Sequence, residues 1–181
     1  RSHALCEQSL IDSLEVRAQD SLFSNLPYSR SLLRNAMRQA QDSMSYYRLM
    51  GLYGKTFFIS SDFDSILYYN RPVKEYDKRA AACPRWNDVL SDVYNIEGNV
   101  WMQLNQPDSA VAYYEKSYAY RLKGEKGHLL SDICMNLADA HLHRGELAHT
   151  ASYYRKALFI CDSLHLSEHS KFPVYCGLGQ T

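Results

Sequence analysis

Apolar residues recur along this chain at the spacing of one helix face, in segments separated by short polar turns. Leu5, Leu10, Leu14, Leu22 and Leu26 stand amid polar residues and predict a helix from about Ala4 to Phe23. Pro27 then opens a second helix carrying Leu32, Leu33, Ala36 and Met37. Residues 43–79 predict two more helices. Asp62 is placed to cap the second of them, and Pro72 falls inside it, where it should kink or shorten the helix. Pro84 opens the next helix. From Leu90 onward the pattern is written twice, as LSDVYNIEGNVWMQLNQPDSAVAYYEKSYAY and, from Leu130, as LSDICMNLADAHLHRGELAHTASYYRKALFI.

Leu-Ser-Asp recurs at 90–92 and 130–132, Tyr-Tyr at 113–114 and 153–154, and Lys116 maps to Lys156, all at an offset of 40. A fixed period of that size marks a stack of repeated units. In the first copy Tyr94, Gly98 and Trp101 share a helix face; Cys134, Ala138 and His141 replace them in the second. The Gly98/Ala138 position is small in both copies and predicts a close helix approach. Turns follow at Asn105-Gln106-Pro107 and Arg144-Gly145-Glu146, where Pro107 suits a helix start and Gly145 a left-handed helix end. The second helices carry Ala110, Tyr114 and Ser117, then Thr150, Tyr154 and Ala157.

At these residues the chain resembles the tetratricopeptide repeat family, whose pattern appears as Tyr94, Gly98, Trp101, Ala110, Tyr114 and Ser117 and again as Leu137-Ala138, His141, Gly145, Thr150, Tyr154 and Ala157. Glu97 stands where the family has Leu, Thr150 where it has Ala, and the period of 40 exceeds the family's usual one of about 34. The excess falls in RLKGEKGHLL (121–130), between repeats. Such long periods are similar to those of bacterial regulatory and sensor proteins. Gly54, Phe57, Asp64-Ser65 and Tyr69 match Gly98, Trp101, Asp108-Ser109 and Tyr113 at an offset of 44, with Asn70 in place of a Tyr. The insert CPRWND (83–88) supplies the longer offset. After a polar junction at 165–170, a helix expected from Lys171 brings Tyr175, Leu178 and Gly179 onto Cys134, Leu137 and Ala138 at an offset of 41.

The resemblance implies an all-α fold, a right-handed superhelical solenoid of antiparallel helix pairs in a single domain over residues 1–181. Residues 1–42 are a degenerate or capping pair, 43–82, 83–124 and 125–166 are repeats, and 167–181 begin a further one. Packing through Tyr175, Leu178 and Gly179 needs a covering helix, so the native chain is expected to continue past Thr181, and this segment to self-associate or fray there.

Composition narrows the function. Lys plus Arg and Asp plus Glu are both 20 of 181 residues, so the net charge is zero and no basic face for nucleic acid is expected. No apolar run is long enough to span a membrane. The chain starts at Arg1 without Met and without a signal-like segment, which reads as an excised or processed form and leaves the compartment open. Cys6, Cys83, Cys134, Cys161 and Cys176 are too widely spaced for a disulfide framework and read as small buried hydrophobes. The fifteen tyrosines suit helical packing with polar exits.

Apparent chemistry falls away on inspection. GLYGKT (51–56) ends like a phosphate-binding loop, but Leu49 stands where that motif needs Gly, and the segment is predicted helical. His141 and His143 point apart on a helix. His165 and His169, with Glu168 nearby, share a side but sit at a helix junction with no further ligand. No catalytic constellation, cofactor motif or metal set emerges, so no enzymatic activity is expected.

In the resembled family the first helix of each pair lines a concave, ligand-holding face. Carried over, that face holds Arg48, Lys55 and Phe58, then Asn95, Asn99 and Met102, then Met135, Asn136, Asp139 and His143. Amides and methionines there can pair a peptide backbone and cover its apolar side chains. A family clamp for C-terminal carboxylates is not matched: its Lys and Asn would fall on Gly51 and Lys55, and a later basic position on Asp132. The expected function is a protein- or peptide-binding scaffold within a larger regulatory or assembly protein. The alternative is the sensor domain of a signalling enzyme or transcription regulator, holding a small ligand or peptide.

Overall fold

Short polar or proline-marked turns divide the chain into helices, and capping side chains or prolines mark where five of them begin. The computed structural model describes residues 2–80, 83–165 and 168–179, with side chains over 10–76, 83–165 and 171–179. Among the described residues all regular structure is helical: α1 (Ser2–Asp20), α2 (Leu26–Gln39), α3 (Ser43–Lys55), α4 (Phe63–Ala80), α5 (Pro84–Gln103), α6 (Pro107–Arg121), α7 (Leu130–His143), α8 (Leu147–Ser163) and α9 (Glu168–Leu178), with 3-10 turns at Thr56–Phe58 and Gly127–Leu129. Asn25 caps α2 by accepting from the Tyr28 N–H at 3.1 Å, and Asp42 caps α3 by accepting from Ser45 N–H at 2.8 Å. Asp62 does the same for α4, accepting from the Ser65 N–H at 3.1 Å and its hydroxyl at 2.7 Å. Pro84 and Pro107 sit in the first turns of α5 and α6. No helix among the described residues is long and apolar enough to cross a membrane.

The chain forms two compact units, Arg1–Ala81 and Ala82–Thr181. In the first, α1, α2, α3 and α4 pack each against the next. Their core is Ile11, Leu14, Ala18, Leu32, Leu33, Ala36, Leu49 and Tyr53. Among the residues whose side chains are described, the buried face of α1 is therefore Ile11, Leu14 and Ala18, whereas Leu10 is 48% exposed. Pro72 lies inside α4, but the helix continues to Ala80 rather than ending there. Burial of Asn70 and Val73 on either side of it holds the helix to its neighbours.

The second unit shows why small residues recur. α5 packs on α6, α6 on α7, α7 on α8 and α8 on α9. The Ser117 hydroxyl donates to the Ser91 carbonyl at 2.8 Å and the Ser91 hydroxyl to the Ser117 carbonyl at 2.9 Å, so α5 and α6 approach closely enough for single serine side chains to bridge their backbones. A Cβ on Gly98 would lie 2.4 Å from the Tyr114 ring. Trp101 is half-buried against Ala110, Val111, Tyr114, Ile133, Leu137 and Ala140. Contacts repeat with the sequence. Lys116 lies over the Tyr113 ring at 5.3 Å and Lys156 over the Tyr153 ring at 6.0 Å.

Three helix-to-helix turns share one backbone design. Ser61, Asn105 and Gly145 take positive φ values of 53°, 55° and 75°. In each turn the next residue donates its N–H back to the helix: Asp62 to Phe57, Gln106 to Trp101 and Glu146 to His141, at 3.1, 2.9 and 2.9 Å. This is the paired-bond, left-handed helix end that closes α-helices. It links the α3–α4, α5–α6 and α7–α8 turns at the offsets of 44 and 40 read from sequence.

The last helix starts earlier than its pattern predicts. α9 begins at Glu168 rather than Lys171 and runs through Pro173. Val174 is fully buried and a Cβ on Gly177 would meet the Tyr154 ring at 2.1 Å, while Tyr175 is 50% exposed and Gly179 touches only its own helix. Val174 and Gly177 are therefore the α9 residues set against α8; at the offset of 41 Val174 falls on Ile133, which packs against α6 in the same way. The buried-cysteine expectation holds for Cys134 and Cys161; Cys83 is half-buried and Cys176 exposed, and Cys6 lies outside the residues whose side chains are described.

Candidate functional site

α5 and α7 touch each other directly as well as through α6. That contact brings together residues 40 apart in sequence. Asn95, Asn99 and Met102 stand on α5; Met135, Asn136, Asp139 and His143 stand on α7. The Asn136 amide donates to the Asn95 side-chain oxygen at 3.0 Å, joining the two helices side by side. Both asparagines are half-buried, as are Asn99, Met102 and Met135, whereas Asp139 and His143 are exposed. Met102 leans on the core around Tyr114 and Ile133, and Met135 on the core around Cys134 and Tyr154.

The next residues inward are two tyrosines at equivalent positions. The Tyr114 hydroxyl donates to Asn99 at 2.7 Å, and the Tyr154 hydroxyl donates to Asp139. Burial, reinforced by the Asp139 charge, holds the Tyr114 phenol protonated well above the usual tyrosine range. Burial does the same for Tyr154, with its bond to Asp139 second. Each phenol is thus a fixed donor that orients a polar side chain of the first helix.

These bonds change what substitution at the face would do. Read as exposed, Asn99 could be truncated with a stability change within about 0.5 kcal/mol. In the structure, Asn99→Ala leaves the buried Tyr114 hydroxyl without its acceptor, and the expected loss is about 1–3 kcal/mol. In the Tyr114→Phe background the same change should cost far less, which urea unfolding of the four variants reads out as a coupling energy. Additive losses would show that the bond does not form in solution.

The residues assigned to the face from the earlier repeat lie in the N-terminal unit, in different settings. Arg48 pairs with Glu15, and with Asp12 at 3.6 Å, so α1 already engages its guanidinium. Lys55 ends α3 and is exposed. Phe58 stands on the 3-10 turn after α3, its ring 6.1 Å from that of Phe63. The GLYGKT segment is helical through Lys55, as expected, and offers no phosphate-binding loop.

No family model and no curated protein sequence matches the chain. Solved structures do. One is the crystal structure of BtubC (BKLC) from P. vanneervenii, with a TM-score of 0.66 at 13% identity, over 88% of this chain and 66% of that one. The likeness is one of fold: an all-helical chain built this way.

A second cluster lies at the α7–α8 turn, away from any pairing weighed from sequence. His141 Nδ1 is 2.6 Å from Glu146 Oε2, and His149 Nδ1 is 3.9 Å from the same oxygen. Sequence reasoning set His141 against His143, two residues away on the same helix. The partner signal was instead across the turn, at i+5 and i+8. The His165, Glu168 and His169 grouping falls partly outside the residues whose side chains are described.

Proposed function

We propose that this chain is a helical-repeat scaffold, similar to the tetratricopeptide repeats, that holds a protein or peptide segment on the surface built by α5 and α7. The observation carrying this reading is the bond between Asn95 and Asn136, which sets amides of two successive first helices into one row. A side-chain amide both donates and accepts, so the row can trade its internal bond for the N–H and C=O groups of an extended peptide. Met102 and Met135 border the row with adaptable apolar surface, suited to side chains of varied shape. The zero net charge of the whole chain favours recognition by hydrogen bonding and packing over long-range steering.

A displayed library of random peptides, selected against the purified chain, tests this reading. Enriched peptides should lose affinity about tenfold on Asn136→Ala, roughly 1.4 kcal/mol. The variant's thermal midpoint should barely move, because Asn95 keeps access to water. Peptides that bind the Asn136→Ala chain as tightly as the original would place the binding surface elsewhere.

A further inference from the structure

Three side chains converge on the turn between α7 and α8, and their chemistry differs from every other turn of the same design. His141 comes from the last turn of α7, Glu146 from the turn itself, and His149 from the first turn of α8. Their ligand atoms, two imidazole nitrogens and one carboxylate oxygen, all lie within 4.8 Å of one another. We propose that this corner is a transition-metal site, with His141 Nδ1, Glu146 Oε2 and His149 Nδ1 as its protein ligands and a Zn²⁺-class divalent ion as its occupant.

The geometry is set before any ion arrives. The Glu146 N–H donates to the His141 carbonyl at 2.9 Å, and Gly145 takes the positive φ that closes the helix, so the backbone fixes the first two ligands relative to each other. His141 is buried, its ring stacked near-parallel to those of His149 and Tyr153 with centroids 5.1 and 5.3 Å away. Arg144 donates to Glu146 Oε1 at 2.9 Å and to Asp108 at 2.9 Å. It thereby orients the carboxylate and leaves Oε2 facing the two imidazoles, as outer groups do around bound metals.

The distances suit an ion of this kind. Donors about 2.0–2.1 Å from a tetrahedral ion are about 3.3 Å apart. His141 and Glu146 need to separate slightly, and His149 needs to turn its ring inward. The His149 side chain is 66% exposed and has the room. Two imidazoles and a carboxylate favour zinc and its late first-row neighbours over calcium or magnesium, and leave a fourth position for water or an incoming ligand. The equivalent turn positions in the preceding copy are Trp101, Gln106 and Ser109, so the ligand set belongs to this repeat rather than to the turn as such.

Calorimetric titration of the full 181-residue chain with Zn²⁺, paired with Co²⁺ absorption spectra and melting curves, tests the proposal. The expected result is one equivalent bound at neutral pH, a Co²⁺ spectrum of tetrahedral form, and a melting midpoint that rises with metal concentration. His149→Ala keeps the bond between His141 and Glu146 and should cut affinity at least tenfold, whereas His165→Ala should leave it unchanged. No binding by the original chain overturns the proposal. So does binding that survives His149→Ala, which would mark the cluster as a hydrogen-bonded helix end only.

Discussion

Arg121→Ala should be among the most damaging single substitutions in this chain, with an expected loss of about 3–5 kcal/mol. Arg121 and Asp88 are both buried, 2% and 3% exposed, and their charged groups meet at 2.7 Å. Arg121 also reaches Asp92. Asp88 in turn accepts the N–H groups of Glu125 and Lys126 at 2.9 and 3.2 Å, tying the loop after α6 back to the start of α5. Removing the guanidinium strands a buried carboxylate beside that loop. Because the pair is shielded from solvent ions, added salt should recover little of the loss. Urea unfolding at low and high ionic strength checks both points; a loss below about 1 kcal/mol would put the pair in the class of solvent-exposed bridges.

Gly98→Ala should also destabilise, and the sign is informative. In an exposed helix interior the change would stabilise by about 1 kcal/mol, the propensity difference between the two residues. Here the new methyl would sit 2.4 Å from the Tyr114 ring, which is 2% exposed and held at its hydroxyl by Asn99. The ring cannot yield without losing that bond or shifting α6. The expected net cost is about 1–3 kcal/mol, rising further for Gly98→Leu. Trimming the ring with Tyr114→Ala should reverse the sign of the glycine substitution. A thermal midpoint that rises for Gly98→Ala alone would mean that α5 and α6 stand farther apart than described.

Much of this arrangement was legible because the sequence repeats itself. Gly98, Ser117 and Ala157 announce close helix approaches by being small where neighbours are large, and each is buried. Gly145 announces its turn by needing a left-handed backbone. The illegible parts are long-range choices. Arg121 read as the first residue of an inter-repeat insertion, since nothing local shows that Asp88, 33 residues earlier, lies against it. Leu10 and Ile11 are equally apolar, and only the packing of α2 selects Ile11. At the candidate face, sequence placed the asparagines on the first helices of the two copies but not their bonds to each other and to Tyr114. The two histidines of the α7–α8 turn lie on different helices, beyond any single-helix spacing rule.

The central claim is that α5 and α7 together form the surface that receives a peptide, and the methionines test it most directly. Met102 and Met135 border that surface, while Met37 packs against the core of the N-terminal unit. Carbon-labelled methionine methyls give one resolved NMR signal each. Adding a library-selected peptide should shift and broaden the Met102 and Met135 signals and leave Met37 in place. Saturable binding with Met102 and Met135 unmoved would contradict the account.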